Sequence, residues 1–354
     1  MTNIGIIGAG MIANVHAEAA KAVGTNVVCV FDPRESKTNE FAKKHECDVA
    51  SSVEELVARE DIEGVVIAVP NDQHAPLAIQ ALESGKHVLL EKPMAMSITQ
   101  CDEILAARDA SGKVLQMGFV CRYSPAAMKA KHIIEDGTIG DVLDVQATLV
   151  RQRGIPGIGG WFTTKQRSGG GCLIDIGVHL IDLAMHITQK KSPINALGKC
   201  TRAFTIDSYA YEEMWSTPVK DGTFDVEDRV RAIISDSSGT TFQYNVAWAT
   251  HLPEDTLQDG LLIEGTKGAL VVDLWADEMR LGYSEEGNPK DKKITFDVTE
   301  AWDDAFQGEH KAFADAVTNN ALTATAGTGE DGRLVQMVID AIYESDAQGR
   351  QVEV

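Results

Sequence analysis

A short apolar run that leads directly into a glycine-rich turn is the feature that most constrains the fold of this chain. Residues 3–7 are apolar, as in a buried parallel strand, and residues 8–13 read G-x-G-x-x-A before a helical pattern begins. Gly8 allows a tight turn, Gly10 lets the backbone approach a ligand, and Ala13 is small enough for the helix to pack closely on the strand. The pattern predicts a strand–helix unit whose helix N-terminus faces phosphate groups.

A second predicted strand supports this interpretation. Residues 27–31 are apolar and end at Asp32, which lies 22 residues after Gly10. At about this spacing an acidic residue binds the adenosine ribose hydroxyls in dinucleotide-binding proteins. We therefore expect a dinucleotide site. Asp32 favours NAD, because a carboxylate repels a 2′-phosphate, but Arg34 and Lys37 follow closely and leave NADP open.

The third predicted strand also ends in residues suited to binding. Residues 64–69 are apolar and run into Pro70 and Asn71, with His74 one turn later. In an open α/β sheet, ligands bind outside the carboxyl ends of the strands. A contact from the backbone or from Asn71 to the ribose or nicotinamide is therefore expected. His74 has two open roles, one in orienting the following helix and one at the ligand.

The fourth predicted strand, residues 88–90, ends at Glu91-Lys92-Pro93. A lysine at this position points into the same crevice. Because Pro93 has a fixed φ and favours an extended residue before it, Lys92 is expected to be held in one backbone conformation. A fifth strand at residues 114–119 completes a parallel sheet, and residues 122–125 mark the exit from this domain.

The second half of the chain has the pattern of antiparallel strands. From residue 142, apolar and polar residues alternate with the period of a half-exposed strand. Further runs of this kind follow at residues 197–206, 229–235, 240–248, 261–265, 269–273 and 293–298. They predict one large, mostly antiparallel sheet, whose broad face either covers the cofactor cleft or pairs with another subunit. Two helices are predicted near the end of the chain, at residues 309–319 and 331–347.

A glycine triplet precedes the most unusual polar pattern of this half. Residues 169–171 are all glycine, and the apolar helix predicted after them carries Asp175, His179, Asp182 and His186. These four residues are at positions i, i+4, i+7 and i+11, and therefore share one helix face. Polar side chains on an apolar helix need partners or a ligand. All four cannot share one metal ion, because His186 is about 10 Å from His179 along the helix axis, and no metal site is expected.

Composition restricts the function classes. With 354 residues the chain is long enough for two domains. A formal net charge of −21 argues against partners with phosphate backbones or anionic lipid surfaces, hence against nucleic acid and membrane. Six scattered cysteines without a C-x-x-C pair favour reduced thiols. No apolar run approaches a membrane span and the first strand leaves no room for a signal peptide, so we expect a cytoplasmic protein.

Together these motifs resemble the glucose–fructose oxidoreductase/inositol dehydrogenase (Gfo/Idh/MocA) family. The resemblance rests on G-x-G-x-x-A, on Glu91-Lys92-Pro93, and on the glycine triplet followed by Asp175-x-Gly-x-His179. It implies an α/β protein with an N-terminal Rossmann domain of doubly wound parallel sheet (residues 1–122). It also implies a C-terminal α/β domain with a large, open, mostly antiparallel sheet (residues 123–354). Such proteins form homodimers or homotetramers through that sheet.

The resemblance also implies an activity and a set of site residues. The activity is NAD(P)-dependent oxidation or reduction of a sugar, inositol or related polyol. The implied catalytic residues are Lys92, Asp175 and His179. The expected cofactor contacts are Gly8, Gly10, Met11, Ile12, Asp32, Arg34, Pro70, Asn71, His74, Glu91, Lys92 and Pro93. The expected substrate contacts are Arg122, Tyr123, Arg153, Trp161, Asp175 and His179.

In the reaction expected from these residues, His179 acts as general acid and base on the reacting oxygen. Its ordinary pKa of about 6.5 suits this role near neutral pH. Lys92 stabilises negative charge on the same oxygen or relays its proton, and Asp175 orients substrate hydroxyls. Three alternatives remain at this point: a glycoside-cleaving enzyme that uses NAD transiently, a sugar or redox sensor without turnover, and a reductase of an aromatic substrate resembling biliverdin reductase.

Overall fold

The chain divides into two units, each built on its own large β-sheet. The computed structural model describes residues 2–205, 211–212, 218–253, 256, 259–296 and 300–354. The first unit comprises Met1–Tyr123 and Asp303–Arg333, and the second comprises Ser124–Trp302 and Leu334–Val354. The expected second domain was continuous from residue 123. The structure differs, because a segment near the end of the chain completes the first unit.

Strands and helices are numbered through the whole chain. The strands are β1 (Asn3–Ile7), β2 (Asn26–Phe31), β3 (Asp48–Val49), β4 (Gly64–Ile67), β5 (His87–Glu91), β6 (Leu115–Gly118), β7 (Val142–Val150), β8 (Ile155–Pro156), β9 (Pro193–Thr201), β10 (Tyr211–Glu212), β11 (Arg229–Asp236), β12 (Thr241–Ala247), β13 (Gly260–Gly265), β14 (Gly268–Val272), β15 (Glu278–Glu285), β16 (Asn288–Thr295), β17 (Gly327–Thr328) and β18 (Val352–Glu353). The α-helices are α1 (Met11–Ala22), α2 (Glu35–His45), α3 (Val53–Ala58), α4 (His74–Glu83), α5 (Ile98–Ser111), α6 (Pro125–Glu135), α7 (Lys165–Ser168), α8 (Val178–Thr188), α9 (Ala301–Asn319) and α10 (Gly329–Gln348).

The first unit is built on a seven-stranded sheet in the order β17-β6-β5-β4-β1-β2-β3. All neighbours are parallel except β17, which pairs antiparallel to β6. The side chains of β4 and β5 are buried on both faces, as in a parallel sheet covered by helices on both sides. This is the doubly wound arrangement expected from the sequence, and its strands end on the side where ligands bind.

Serine side chains set the start of two helices in this unit, as their sequence position predicts. Ser52 accepts a hydrogen bond from the Glu55 backbone N–H at the start of α3, and Ser97 accepts one from Gln100 at the start of α5. Helix α5 ends at Gly112, which has a φ of 63° in the left-handed region.

The segment 303–333 joins the first unit through backbone pairing and through a buried ion pair. Strand β17 extends the sheet beside β6, and the guanidinium of Arg122 lies 2.9 Å from the carboxylate of Asp331. The side chain of Arg122 is 2% exposed, and it also donates a hydrogen bond to the backbone oxygen of Ala326. The predicted helix at residues 309–319 omitted the start of α9, which begins at Ala301. Strand β17 was not predicted, because a strand of two residues carries no periodic pattern.

The second unit contains a nine-stranded sheet in the order β16-β15-β14-β13-β7-β12-β11-β9-β18. Every pair of neighbours is antiparallel except β7 and β12. Helix α8 packs on β7 and β12, and α6 packs on β14. The expected fold class is confirmed. Strand β15 was missed, β9 begins four residues earlier than predicted, and residues 206 and 297–298 of two predicted strands lie outside the described residues.

One helical run, Lys165–Thr188, is long and apolar enough to span a membrane among the described residues, with a mean hydropathy of 1.4 in its most apolar window. Of that window, 89% is buried inside the protein. The run therefore has the surroundings of a core helix.

The buried ion pair between Arg122 and Asp331 gives a stability prediction. Replacing Arg122 by methionine leaves the Asp331 carboxylate buried without its cation, and we expect a loss of about 3–5 kcal/mol in the free energy of unfolding. Denaturant unfolding followed by circular dichroism measures the loss. The double variant Arg122→Met with Asp331→Leu removes both charges and is expected to recover most of it. Equal stability of the single variant and the native protein would contradict the prediction.

Candidate functional site

The turn between β1 and α1 has the geometry required of a phosphate-binding turn. Gly8 has a φ of 109°, and a Cβ atom on it would lie 2.2 Å from the backbone oxygen of Ala68, so only glycine fits. A Cβ on Gly10 would meet no heavy atom within 4 Å, so the space beside it is open. Gly10 begins α1 without a side-chain cap, and the first turn contains no acidic residue. The free backbone N–H groups there suit an anionic ligand.

Asp32 is held beside this turn by several donors. Its Oδ2 accepts a hydrogen bond from the Ala9 backbone N–H at 2.9 Å, and its carboxylate pairs with the Arg34 guanidinium at 2.7 and 2.8 Å. Burial raises the pKa of Asp32, but the hydrogen bonds from Arg34 outweigh this effect, and the pKa lies below its ordinary value. The residues present therefore fit a dinucleotide: an open glycine turn for the phosphates and an ionised carboxylate for the ribose hydroxyls.

The His74 side chain lies between the segments that follow β4 and β5. Its Nδ1 lies 2.6 Å from the backbone oxygen of Pro93, and its Nε2 lies 3.0 Å from the backbone oxygen of Val69. The side chain is 1% exposed, and burial lowers its pKa. A neutral ring donates to only one of these two oxygens, and the expected contact of His74 with the cofactor remains a prediction. The alternative role in orienting the following helix agrees with its position at the start of α4.

The residues at the ends of β4 and β5 form the rest of this edge. Pro70 precedes a single 3₁₀ turn that contains the buried Asn71. Lys92 is half-buried, and its peptide bond to Pro93 is cis. Glu91 is 7% exposed, and its Oε2 accepts a hydrogen bond from the backbone N–H of Lys92 at 2.9 Å. The glutamate of the motif therefore fixes the backbone of the lysine that follows it.

Arg122 and Tyr123 do not have the exposure expected of substrate-binding residues. The Arg122 guanidinium is buried in its ion pair with Asp331 and lies over the ring of Phe119. Tyr123 is 6% exposed, and a Cβ on Gly308 of α9 would lie 3.2 Å from its side chain. Both side chains contribute to the packing between the end of residues 1–123 and the returning segment 303–333, and their expected contacts with substrate remain predictions.

In the second unit, Asp175 and His179 lie on a helix that changes its winding between them. Residues Leu173–Gly177 form one π-helical turn, and α8 follows from Val178. Such turns occur frequently at functional sites. Asp175 and His179 are half-buried, whereas Asp182 and His186 farther along α8 are at most 3% exposed. The predicted polar face therefore divides into an accessible pair and a core pair.

The carboxylate of Asp175 has a fixed orientation. The indole Nε1 of Trp248 donates a hydrogen bond to Asp175 Oδ2 at 2.8 Å, and the Trp248 side chain is fully buried. A ring that cannot move holds one carboxylate oxygen in place. No local pattern indicates this contact, because Trp248 lies 73 residues from Asp175 in the chain.

A buried glutamate and its partner Tyr343 explain two glycines of the triplet. The carboxylate of Glu227 accepts hydrogen bonds from the backbone N–H groups of Gly171 and Leu173 and from the Tyr343 hydroxyl, each at 3.0 Å. A Cβ on Gly170 would lie 2.0 Å from that hydroxyl, and a Cβ on Gly171 would lie 1.8 Å from the Glu227 backbone oxygen. Burial raises the pKa of Glu227, while the backbone donors of Leu173 and Gly171 favour its ionised form. Glu227 thus anchors the start of the helix that carries Asp175 and His179.

The two other expected substrate residues of this unit lie on irregular segments. Arg153 is exposed, and its backbone bridges to Ala249, next to Trp248. Trp161 is half-buried and stacks on the adjacent Phe162, with ring centroids 3.8 Å apart. Both remain predictions as substrate contacts. Among the described residues, no group of three or more His, Cys, Asp or Glu side chains is arranged to hold a metal ion.

Comparison with known proteins gives matches in both halves of the chain. The family described as "Oxidoreductase family, NAD-binding Rossmann fold" matches residues 2–119, and "GFO/IDH/MocA C-terminal domain" matches residues 127–271. The D-glucoside 3-dehydrogenase of Escherichia coli is 27% identical over 99% of this chain and 97% of its own length. The inositol 2-dehydrogenase of Rhizobium meliloti is 26% identical over 99% of this chain and 98% of its own length.

Solved structures agree with the fold. A levoglucosan dehydrogenase in complex with NADH and levoglucosan superposes with a TM-score of 0.86, at 23% identity, over 100% of this chain and 99% of its own. At that identity the likeness shows the fold alone. The fold includes both the parallel sheet and the large, mostly antiparallel sheet.

The space at the glycine triplet gives a second stability prediction. Gly171→Ala forces a Cβ against the Glu227 backbone oxygen. We expect this clash to lower the free energy of unfolding of the second unit by about 1–3 kcal/mol. Gly282→Ala in β15 is the matched control, because its Cβ would approach nothing closer than the Ala269 oxygen at 3.9 Å. Thermal and denaturant unfolding measure both variants. Equal stability of the two variants would show that the glycine is not required by packing.

Proposed function

We propose that this chain, which belongs to the GFO/IDH/MocA oxidoreductase family, transfers a hydride between a nicotinamide cofactor and a hydroxyl-bearing carbon of a sugar, inositol or related polyol. The observation that carries the proposal is the open, uncapped start of α1 at Gly10 beside the ionised Asp32. The named activities of the glucoside and inositol dehydrogenases that it resembles over their whole length support the substrate class.

The cofactor, when bound, supplies the hydride acceptor or donor, and the chain supplies binding and proton chemistry. In this proposal the N–H groups at the start of α1 bind the phosphates, with Met11 and Ile12 in the first turn. Asp32 binds the ribose hydroxyls. The carboxylate supports NAD as the cofactor. Arg34, which is 60% exposed at its side chain, is the residue that would need to release Asp32 to accept a 2′-phosphate.

Three residues have separate roles at the reacting oxygen in this proposal. His179 takes the hydroxyl proton in oxidation and returns it in reduction, Lys92 stabilises the negative charge on the oxygen, and Asp175 orients neighbouring hydroxyls. All three are half-buried, so each retains access to solvent or ligand. Lys92 belongs to the first unit and the other two to the second.

Turnover of a substrate panel tests the proposal. Reduced-nicotinamide absorbance is followed with NAD and with NADP across inositols, aldoses, uronates and glycosides. We expect accumulation of NADH with at least one polyol and a loss of about 100-fold or more in kcat for Lys92→Ala and for His179→Ala, with NADH binding retained. Lys129→Ala and His132→Ala, at exposed positions of α6, are the matched controls. Near-native turnover by either site variant would contradict the assigned roles.

The absence of released NADH while a glycoside is cleaved would identify the glycoside-cleaving alternative instead. Ligand binding without any turnover would identify a sensor. In both cases the proposed dehydrogenase activity would be wrong.

A second copy of this chain is the proposed partner of the open sheet face. Directly opposed residues form one exposed row across five strands, and the row contains Leu197, Ile233, Gln243, Gln146 and Leu262. The three apolar members are 37–46% exposed. Two of them, Leu197 and Ile233, are directly opposed neighbours, and exposed apolar side chains on one sheet face are typical of a surface that pairs with protein. A dimer or tetramer through this row buries these apolar side chains.

The six cysteines, all free, support a reducing compartment such as the cytoplasm.

Charge on this row is expected to dissociate the oligomer. The double variant Leu197→Lys with Ile233→Lys places two like charges at directly opposed positions on β9 and β11. We expect it to elute as a monomer of about the 38.2 kDa chain mass, whereas the native protein elutes as a dimer or tetramer in light scattering coupled to size exclusion. Met128→Lys, at an exposed apolar position of α6, is the control and is expected to leave the assembly unchanged. A monomeric native protein would exclude the proposed interface.

A further inference from the structure

A chain of three buried polar side chains lies behind the end of β5 in the first unit. Glu91 Oε1 is 2.9 Å from His16 Nε2, and His16 Nδ1 is 2.9 Å from His310 Nε2. Both histidines are at most 1% exposed. They lie on α1 and α9, and 294 residues separate them in the chain. The arrangement therefore exists only once the returning segment 303–333 has packed on the unit.

The atoms at the inner end of the chain decide where its protons lie. His310 Nδ1 is buried and has no hydrogen-bond partner within the part of the chain that the structure describes. Burial lowers the pKa of His310 well below its ordinary value, so the ring is neutral and carries one proton. A proton on Nδ1 would have no acceptor, whereas a proton on Nε2 is donated to His16.

The position of the His310 proton then determines which nitrogen of His16 carries a proton. If His310 Nε2 donates, His16 Nδ1 is an acceptor and the His16 proton lies on Nε2. That proton points at Glu91 Oε1. The ring N–H of each histidine is thus donated in a hydrogen bond, from His310 to His16 and from His16 to Glu91. The opposite arrangement leaves a buried N–H without an acceptor, and it also requires a proton on Glu91 or a charge on His16.

We propose that His310 and His16 are positioning residues for Lys92: they supply a donor to Glu91, which keeps this carboxylate ionised as the acceptor of the Lys92 backbone N–H. Glu91 Oε2 accepts that N–H at 2.9 Å, so both carboxylate oxygens are engaged. Two donors on one carboxylate fix its rotamer. The histidines thereby hold the backbone from which the Lys92 ammonium extends.

A fourth buried group, Glu309, shows why Glu91 carries the charge. The Glu309 side chain is fully buried, and neither carboxyl oxygen has a hydrogen-bond partner among the described residues. Burial, together with the proximity of Glu91, raises the pKa of Glu309 well above its ordinary value. Glu309 is therefore neutral. Of the two acids, Glu91 is the one that has donors, and it holds the negative charge.

Histidine tautomers test the arrangement without any substrate. The full chain is labelled with ¹⁵N-histidine, and His16→Gln and His310→Gln assign the two ring signals by their loss. We expect both rings to be neutral at pH 7, with the proton on Nε2 and a bare Nδ1. A proton on Nδ1 of either ring, or a charged His16, would overturn the proposal.

Kinetics test the effect on Lys92, a step that rests on the proposed function. His310→Phe removes, at similar volume, the N–H that His310 donates to His16 Nδ1 and that keeps the His16 proton on Nε2, facing Glu91. We expect kcat to fall about tenfold while KM and the NADH dissociation constant change less than about twofold. His310→Gln offers an amide N–H in its place and is expected to restore kcat to within about threefold of the native value. A purely structural role predicts no such rescue.

His87→Phe is the matched control, because His87 is also buried and lies at the other end of β5, where its Nδ1 accepts the Val114 N–H. We expect this variant to lose stability but to keep its kcat. An unchanged kcat in His310→Phe, or equal losses in the phenylalanine and glutamine variants, would refute the positioning role. If the native protein turns over no polyol, the proposed function fails, and the tautomer measurement still decides the arrangement of His16 and His310.

Discussion

A carboxylate that is removed from water must be given donors, and this constraint shapes both units. Glu227 receives backbone N–H groups at the start of a helix, Asp331 receives the Arg122 guanidinium, and Glu91 receives a histidine and the N–H of Lys92. In each case at least one donor comes from a distant part of the chain. An unpaired buried charge costs several kcal/mol. Each carboxylate therefore fixes the position of a segment that carries a proposed functional residue or closes a unit.

The parts of the fold and site that the sequence predicts are those governed by local rules. The glycine turn at Gly8, the acid at Asp32 and the serine caps each act within a few residues or within one βαβ unit. Their signals are residue types at fixed spacing. The large sheet was predicted as a class, because strand alternation is local as well. The period of α8 correctly placed Asp175 and His179 on a helix, although the π turn between Leu173 and Gly177 was not predicted.

The rest depends on tertiary contacts that leave no local signal. His74, Arg122 and Tyr123 have side chains suited to ligands, and their positions near strand ends favour that interpretation, while tertiary packing also gives each of them protein contacts that the sequence does not indicate. Conversely, Glu227 lies in an ordinary polar stretch, and its role is apparent only when Gly171 is beside it. A polar residue near a predicted site either binds a ligand or holds the protein's own segments together, and only its contacts in the folded structure distinguish these roles.

The return of residues 303–333 also has a consequence for the order in which the protein is made. Synthesis runs from the N-terminus, and domains commonly fold as they emerge. Here the nascent first unit has six strands but lacks β17 and α9, and the Arg122 guanidinium lacks its ion pair with Asp331 until Asp331 has been translated. The unit that emerges first is therefore completed after the large sheet of the second unit has been synthesised. Until then the edge of its sheet at β6 lacks the pairing with β17, and an unpaired edge strand is exposed to pairing with other chains.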